Sequence, residues 1–282
     1  MTATSAPDTA LTLIAAHPAH GRTALPAQPG FGFDDLVLPR PLAAEPAQLE
    51  AARAAGIRMA GLGGRGNRIF LGMAGEPAAL DVDFRNRDGN TLVVEDGTKL
   101  RGRVSFEGDG HLCVIRAGTG ENAVNFTFRG SRGLLAYGLG CSARKLTVLV
   151  EGPETAVYIG QDLMASMNVA VRSSDSHGIF DMASGAIINR PQPVIIGAHV
   201  WLGEDVIVMP GVTVGAGSIL GARAVVTRDV PGCAAAAGAP ARVVREGVSW
   251  TRASQPNAAM VEAQRTSPLL GGYAAAESSR SK

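Results

Sequence analysis

The nine residues SSDSHGIFD, 173 to 181, gather two acids, three serines and one of the chain's five histidines. An imidazole titrates near pH 6.5, so it can take a proton from a poor nucleophile at neutral pH. Residues two apart on an extended strand share a face, so Asp175 can orient the ring of His177. Asp181 and a backbone carbonyl are competing orienters. Alone, the stretch equally describes a polar surface turn, and its setting has to decide. Two further features carry side chains suited to binding. Trp201, one of two tryptophans, lies 24 residues beyond His177, and PARVVR near the C-terminus supplies Arg242 and Arg245.

The elements that must position these residues come from a chain of 282 residues, long enough to bury a sizeable core. A net charge of +1 gives no electrostatic footprint for nucleic acid or an anionic membrane surface. Aromatics are scarce while glycine is abundant, with 36 residues, so the core is aliphatic and the turns are many. Cys113, Cys141 and Cys233 are widely spaced and contain no CxxC pair. They fit a reducing compartment and neither a disulfide frame nor a metal site. No apolar run is long enough to span a membrane, and the N-terminus lacks a basic region before its short apolar patch. The expected location is the cytoplasm.

Residues 1–64 read as an Ala/Pro-rich arm, loosely held over its first 30 residues, with one short helix over PAQLEAARAAGIRM, 46–59. From about 65, short strand-like runs alternate with Gly, Asn and Asp. After 250 the chain turns polar and Ala/Ser-rich, and 251–282 is expected to be a weakly ordered tail. Within 65–250 the clearest signal is a step of six. Ile196, Leu202, Val208, Val214, Leu220 and Val226 are all aliphatic, and four residues after each comes a small or β-branched residue. A period of six matches neither a helix nor a simple strand. It requires a chain that turns a corner every six residues and stacks its turns around an aliphatic column. Ile159, Ala165 and Val171 lie on the same step, and the next position is His177. That places the histidine at the edge of the column, where the 178–193 segment breaks the step.

IIGAHVWLGEDVIVMPGVTVGAGSILGARAVVTRDVPG, together with SSDSHGIFD and GAPARVVRE, resembles the hexapeptide-repeat acyltransferases, most of all O-acetyltransferases of the galactoside and maltose type and of capsular or O-antigen polysaccharide synthesis. The resemblance is specific over about 150–250 and weak over 65–150. It implies an all-β, left-handed parallel β-helix with an excursion loop at about 178–193 and short flanking helical or irregular segments. It implies acetyl-CoA as acyl donor, a sugar or polysaccharide-precursor acceptor, no metal, and a homotrimer with sites between subunits. By the same resemblance His177 is the general base with Asp175 behind it, and Trp201 is an apolar wall for acceptor or pantetheine arm. The arm would lie against Gly203, Gly221 and Ala222. Thr227 and Arg228 would stand near the nucleotide, and Arg242 and Arg245 near its phosphates. Trp250 is expected to lie as a lid on the end of the helix. Ala239 stands where the family commonly has Asn, which leaves the oxyanion donor unassigned. Competing readings are N-acetylation of an amino sugar, a zinc enzyme of the γ-carbonic anhydrase type, which needs three histidines, and a non-catalytic scaffold.

Overall fold

The computed structural model describes residues 10–22, 50, 52–54, 56–72, 79–95, 97 and 99–270. Its core is a parallel β-solenoid. One face stacks β2 (Arg68–Leu71), β4 (Thr91–Val94), β6 (Leu112–Ile115), β8 (Leu134–Tyr137), β10 (Ala156–Ile159), β13 (Val194–Ile196) and β16 (Thr213–Val214). The opposite side begins as one broad sheet of β1 (Ile57–Ala60), β3 (Ala79–Asp83), β5 (Leu100–Phe106), β7 (Asn122–Ser131) and β9 (Ser142–Pro153). At β9 this sheet forks. Ser142 and Ala143 pair with β11 (Met164–Ala165), while Leu146–Leu149 pair with β12 (Val169–Arg172). From there the section is triangular. The second face runs β11, β14 (Trp201–Leu202), β17 (Ile219–Leu220) and β19 (Ala234–Gly238). The third runs β12, β15 (Ile207–Val208) and β18 (Val225–Val226). An antiparallel strand, β20 (Ala241–Glu246), returns along β19.

The fork changes the coil length. Cys113 pairs with Leu135 and Leu135 with Val157, 22 residues on each time. Beyond the fork Leu202 pairs with Leu220 and Val208 with Val226, 18 residues on. Three hexapeptides close that shorter coil. The inward residues Ile196, Leu202, Val208, Val214, Leu220 and Val226 are all fully buried. The corners show the same step in the backbone: residues 199, 205, 211, 217 and 223 all have positive φ. Glycine fills 211 and 217, where such a conformation carries no Cβ penalty. His199, Asp205 and Arg223 adopt it with a side chain. Gly197 shows a second demand, because a Cβ there would lie 2.6 Å from the Ala216 backbone nitrogen of the next coil.

Several expectations are revised. The helix expected over 46–59 is seen at residue 50 and at 52–54, while 46–49 lie outside the described residues. Gly56, at φ 76°, ends it, and Ile57–Ala60 pair instead with Leu80–Asp83 as the first rung. The solenoid therefore begins before residue 65. Part of the expected loose arm is structured: α1 (Ala10–Ala16) and α2 (Pro18–Arg22) pack on the outside of the first face. The reason is that this face is apolar outside as well as inside. Ile14 and Ala19 join a cluster with Phe70, Val93, Leu112, Val114 and Tyr158. His17 lies 3.1 Å from the Gly110 carbonyl and His20 lies 3.0 Å from the Tyr158 hydroxyl. The tail holds α3 (Ala258–Arg265), capped by the Asn257 side chain on Met260 N–H, and a 3-10 turn at Pro268–Leu270. Residues 271–282 lie outside the described residues. Among the described residues, no helix is long and apolar enough to cross a membrane.

Candidate active site

The chain leaves the third face after Arg172 and rejoins the first at Val194. Between them it makes the expected excursion. Phe180 and Ile187 form an antiparallel bridge, and the hairpin tip is fastened by Asp181, whose Oδ1 accepts from Ala183 N–H, Ser184 N–H and Ser184 Oγ. Those serine and backbone donors hold the Asp181 carboxyl below its ordinary range. Asp181 therefore serves the turn. The finger is apolar yet uncovered, with Phe180 55%, Ile188 64% and Met182 87% exposed.

His177 stands at the neck of this finger. Ser173 and Ser174 before it are buried, whereas His177 itself is exposed. It faces solvent in the single chain. The neck is held by a residue the sequence reading missed, Asn189. Its Nδ2 donates to Asp175 Oδ2 at 3.0 Å and to the His177 carbonyl at 2.8 Å, while its Oδ1 accepts from Ile179 N–H. Asp175 is thus joined to the histidine's backbone through Asn189. It makes no bond to the imidazole, whose nitrogens have no partner among the described residues. Ser176 Oγ ties the same turn to Glu151 at 2.8 Å. The backbone of His177 is held by these bonds, and its ring is open to solvent.

Trp201 is on the second face, opposite the corner from which His177 projects. Within one chain the two do not meet. Trp201 pairs with Met164 above and Ile219 below, and its ring remains 38% exposed. Gly203, Gly221 and Ala222 follow β14 and β17 along the edge between the second and third faces. Stacking explains Gly203, since a Cβ would meet the Ala222 backbone nitrogen at 2.7 Å. Ala222 is exposed. Arg242 and Arg245 lie on β20 opposite Ala237 and Ala235, both exposed, at the C-terminal end of the second face. Thr227 and Arg228 follow β18 and are exposed on the corner line of His177. The structure therefore gathers Trp201, Gly203, Gly221, Ala222, Arg242 and Arg245 on one side, and His177, Thr227 and Arg228 on another.

A second cluster sits on the corner between the first and second faces. His199 is buried, with Nδ1 2.6 Å from Asp162 Oδ2 and Nε2 2.9 Å from the Trp250 carbonyl. Asp162 Oδ2 and the Trp250 carbonyl are both acceptors, one on each side of the ring. The Trp250 indole N–H returns a bond to the His199 carbonyl, and the two rings stack 4.1 Å apart. Arg252 donates to Asp162 Oδ1 from Nε and Nη2, at 3.0 and 2.7 Å. Burial alone raises the Asp162 carboxyl, but the bonds from His199 and Arg252 outweigh it and hold it below the ordinary carboxylate range. Trp250 is consequently a flank residue that pins the tail, where the sequence reading had it capping the end of the column. Its partners are 51 and 49 residues away in the chain, at His199 and Trp201, and no local pattern marks them.

Comparison with known proteins agrees with this architecture. Residues 193–228 match the family described as bacterial transferase hexapeptide (six repeats). The polysialic acid O-acetyltransferase of Escherichia coli O1:K1 / APEC is 38% identical over 96 residues, which is 34% of this chain and 31% of the relative. The galactoside O-acetyltransferase of Escherichia coli K12 is 50% identical over 54 residues, 19% of this chain and 27% of the relative. The matched stretch thus spans about a third of the length of these curated relatives. The crystal structure of the polySia-specific acetyltransferase NeuO superposes with a TM-score of 0.59 at 30% identity, covering 71% of this chain and 90% of that one. By its repeats, its stacked parallel coils and these relatives, the chain belongs to the hexapeptide-repeat transferase family.

Proposed function

We propose that this chain transfers the acetyl group of acetyl-CoA to a sugar hydroxyl in a surface polysaccharide or its precursor, with His177 as general base. The observation that carries the reading is the neck of the excursion: an exposed imidazole with unoccupied nitrogens on a backbone pinned by Asn189. In the reaction the imidazole takes the hydroxyl proton as the oxygen attacks the thioester carbonyl. The C–S bond then breaks, and the imidazolium returns the proton to the departing sulfur. Asp175 acts on the loop through Asn189. Trp201 walls the acceptor or the pantetheine arm, the Gly203–Gly221–Ala222 edge receives that arm, and Arg242 and Arg245 receive its phosphates, for which planar guanidinium is suited. Thr227 and Arg228, on the His177 side, take the nucleotide end from across the subunit interface. His177 and Trp201 face opposite ways in one chain, so the reading requires a closed homotrimer in which the base of one subunit meets the wall of its neighbour. The exposed apolar finger at Phe180, Met182 and Ile188 is surface for that contact. Three buried free cysteines suit the reducing cytoplasm. The acetyltransferase names of the relatives support the chemistry.

The test is release of coenzyme A thiol from acetyl-CoA in the presence of polysialic acid, galactosides and amino sugars, with the product examined for ester or amide. Acceptor-dependent release, an ester product and loss of both in His177→Ala are expected. An amide product moves the reading to N-acetylation. Absence of release with every acceptor removes the transferase reading.

A further inference from the structure

At 12 residues, β9 outlasts the strand that follows it in the third face. β12 pairs with it only as far as Arg172, opposite Leu149, whereas β7 accompanies its other edge to Pro153. Both limbs of the excursion are seated on the stretch of β9 left over. The outgoing limb uses the serines of SSDSH. Ser173 N–H donates to the Leu149 carbonyl at 3.0 Å, and Ser173 Oγ accepts from Glu151 N–H at 2.9 Å. Ser176 Oγ donates to Glu151 Oε2 at 2.8 Å and accepts from Arg172 Nη2 at 3.4 Å. The return limb lays Pro191 over Gly152, where an added Cβ would lie 2.6 Å from the proline ring. Gln192 N–H then donates to the Ser173 carbonyl at 2.9 Å.

Ser176 directly precedes His177 and has φ 68°, a left-handed conformation that few residues with a Cβ adopt. Such a conformation persists only where its surroundings impose it. Here they are Ser174 Oγ, which accepts from Ser176 N–H at 3.0 Å, and the Glu151 carboxylate on the Ser176 hydroxyl. The turn at 176 sets the direction in which His177 leaves the coil, and Asn189 holds the His177 carbonyl beyond it. Glu151 is itself fixed by a ladder of charges on the long coils. Its Oε2 lies 4.0 Å from Arg129 Nη1, Arg129 pairs with Glu107 at 2.8 Å, and Glu107 lies 3.8 Å from Arg85. The ladder therefore ends on the hydroxyl beside the base. We propose that Glu151 is a positioning residue for the transfer: through Ser176, its carboxylate aims the His177 imidazole at the acceptor hydroxyl. The inference rests on His177 as general base.

Glu151→Ala and Ser176→Ala each remove the link, while Glu151→Gln keeps an oxygen that can accept from the serine. Arg129 retains Glu107 in all three, so the coils stay folded and the melting temperature stays close to wild type. Thiol release from acetyl-CoA, with the acceptor that supports it, is expected to show kcat about tenfold lower in both alanine variants. The acetyl-CoA KM is retained, because a misaimed base slows proton transfer and leaves binding intact. Glu151→Gln recovers kcat to within about threefold of wild type, and the double alanine variant loses no more than either single one. Amide exchange across 174–178, measured without acceptor, rises in the alanine variants only. Unchanged exchange, unchanged kcat, a glutamine variant as slow as the alanine one, or losses that add in the double variant each overturn the role of Glu151. His177→Ala run beside them separates the two readings. If it is inactive while the alanine variants are fully active, the base stands and its positioning by Glu151 falls. If it is active, the base falls and this inference with it.

Discussion

Removing the Arg252 side chain tests whether the tail is a fixed wall. The guanidinium donates twice to Asp162, once to Ser142 Oγ at 2.7 Å, and to the carbonyls of Leu163 and Gly140 at 3.2 and 3.3 Å. It also lies 5.6 Å from the Trp250 ring. The pair is partly exposed, at 36% for Arg252 and 29% for Asp162, so its charge interaction contributes at most about 1 kcal/mol. The contact with the indole adds roughly 0.5 kcal/mol. The neutral acceptors can turn to water, and their net loss is about another 0.5 kcal/mol. Arg252→Ala therefore weakens tail docking by about 2 kcal/mol, which is about a 30-fold rise in the population of the open tail. The loss falls on local opening and leaves the coils intact. The assay is hydrogen exchange across residues 248–270, with tryptophan emission as a second readout. Trp250 is 5% exposed when docked, so opening shifts the emission to the red. Asp162→Asn should give a similar change, and the double variant should cost less than the two singles together. Unchanged exchange and emission in Arg252→Ala would refute the clamp.

His177→Ala should lose at least ~10²-fold in turnover while its stability stays within about 0.5 kcal/mol, because the ring is exposed and unbonded; a thiol-release rate near wild type removes it from the mechanism. His177→Ala and Trp201→Ala chains, unfolded and refolded together, should recover activity through mixed interfaces, and proven mixed trimers without recovery would sink the shared site. Arg242→Ala with Arg245→Ala should weaken coenzyme A more than its dephospho analogue by calorimetry, and equal losses place them away from the 3′-phosphate. Acid should destabilise the fold through His111, whose burial depresses its pKa to about 4. A depressed histidine contributes stability above its unfolded value near 6.5, and that contribution is lost as pH falls from there to about 4. His111→Asn should flatten the melting-temperature profile over that window, and an unchanged slope would assign it elsewhere.

Legibility in the sequence followed coil geometry. From Ile196 to Val226 each side of the triangle takes six residues, so the inward aliphatics keep a constant step and the architecture is plain. Between 57 and 153 the strands range from Tyr137-ended β8, with 4 residues, to the 12 of β9. The step varies there, and only weak repeats show. The solenoid start was missed because Ala52 and Ile57 suit a helix face and a strand equally, and Gly56 divides them. The place of His177, one step beyond Val171 where the chain leaves the coil, could be read from the repeat. Asn189 was not, because its three partners lie 14, 12 and 10 residues back across the hairpin. The docking of Ile14 and Ala19 depends on an apolar outer face, which alternation along a strand buried on both sides does not reveal.

The antiparallel return of β20 has a consequence for assembly. A stack of parallel rungs ends in unpaired strand edges, the kind of edge on which identical rungs add without limit, as in fibrils. At the C-terminal end of the second face the next parallel position is already taken by a strand running the other way. That strand presents Arg242, Arg245 and Glu246 outward, interleaved with the exposed Val243 and Val244. Reversed polarity and exposed charge block a further copy from continuing this edge, so growth along the axis is arrested there and association is turned to the flanks.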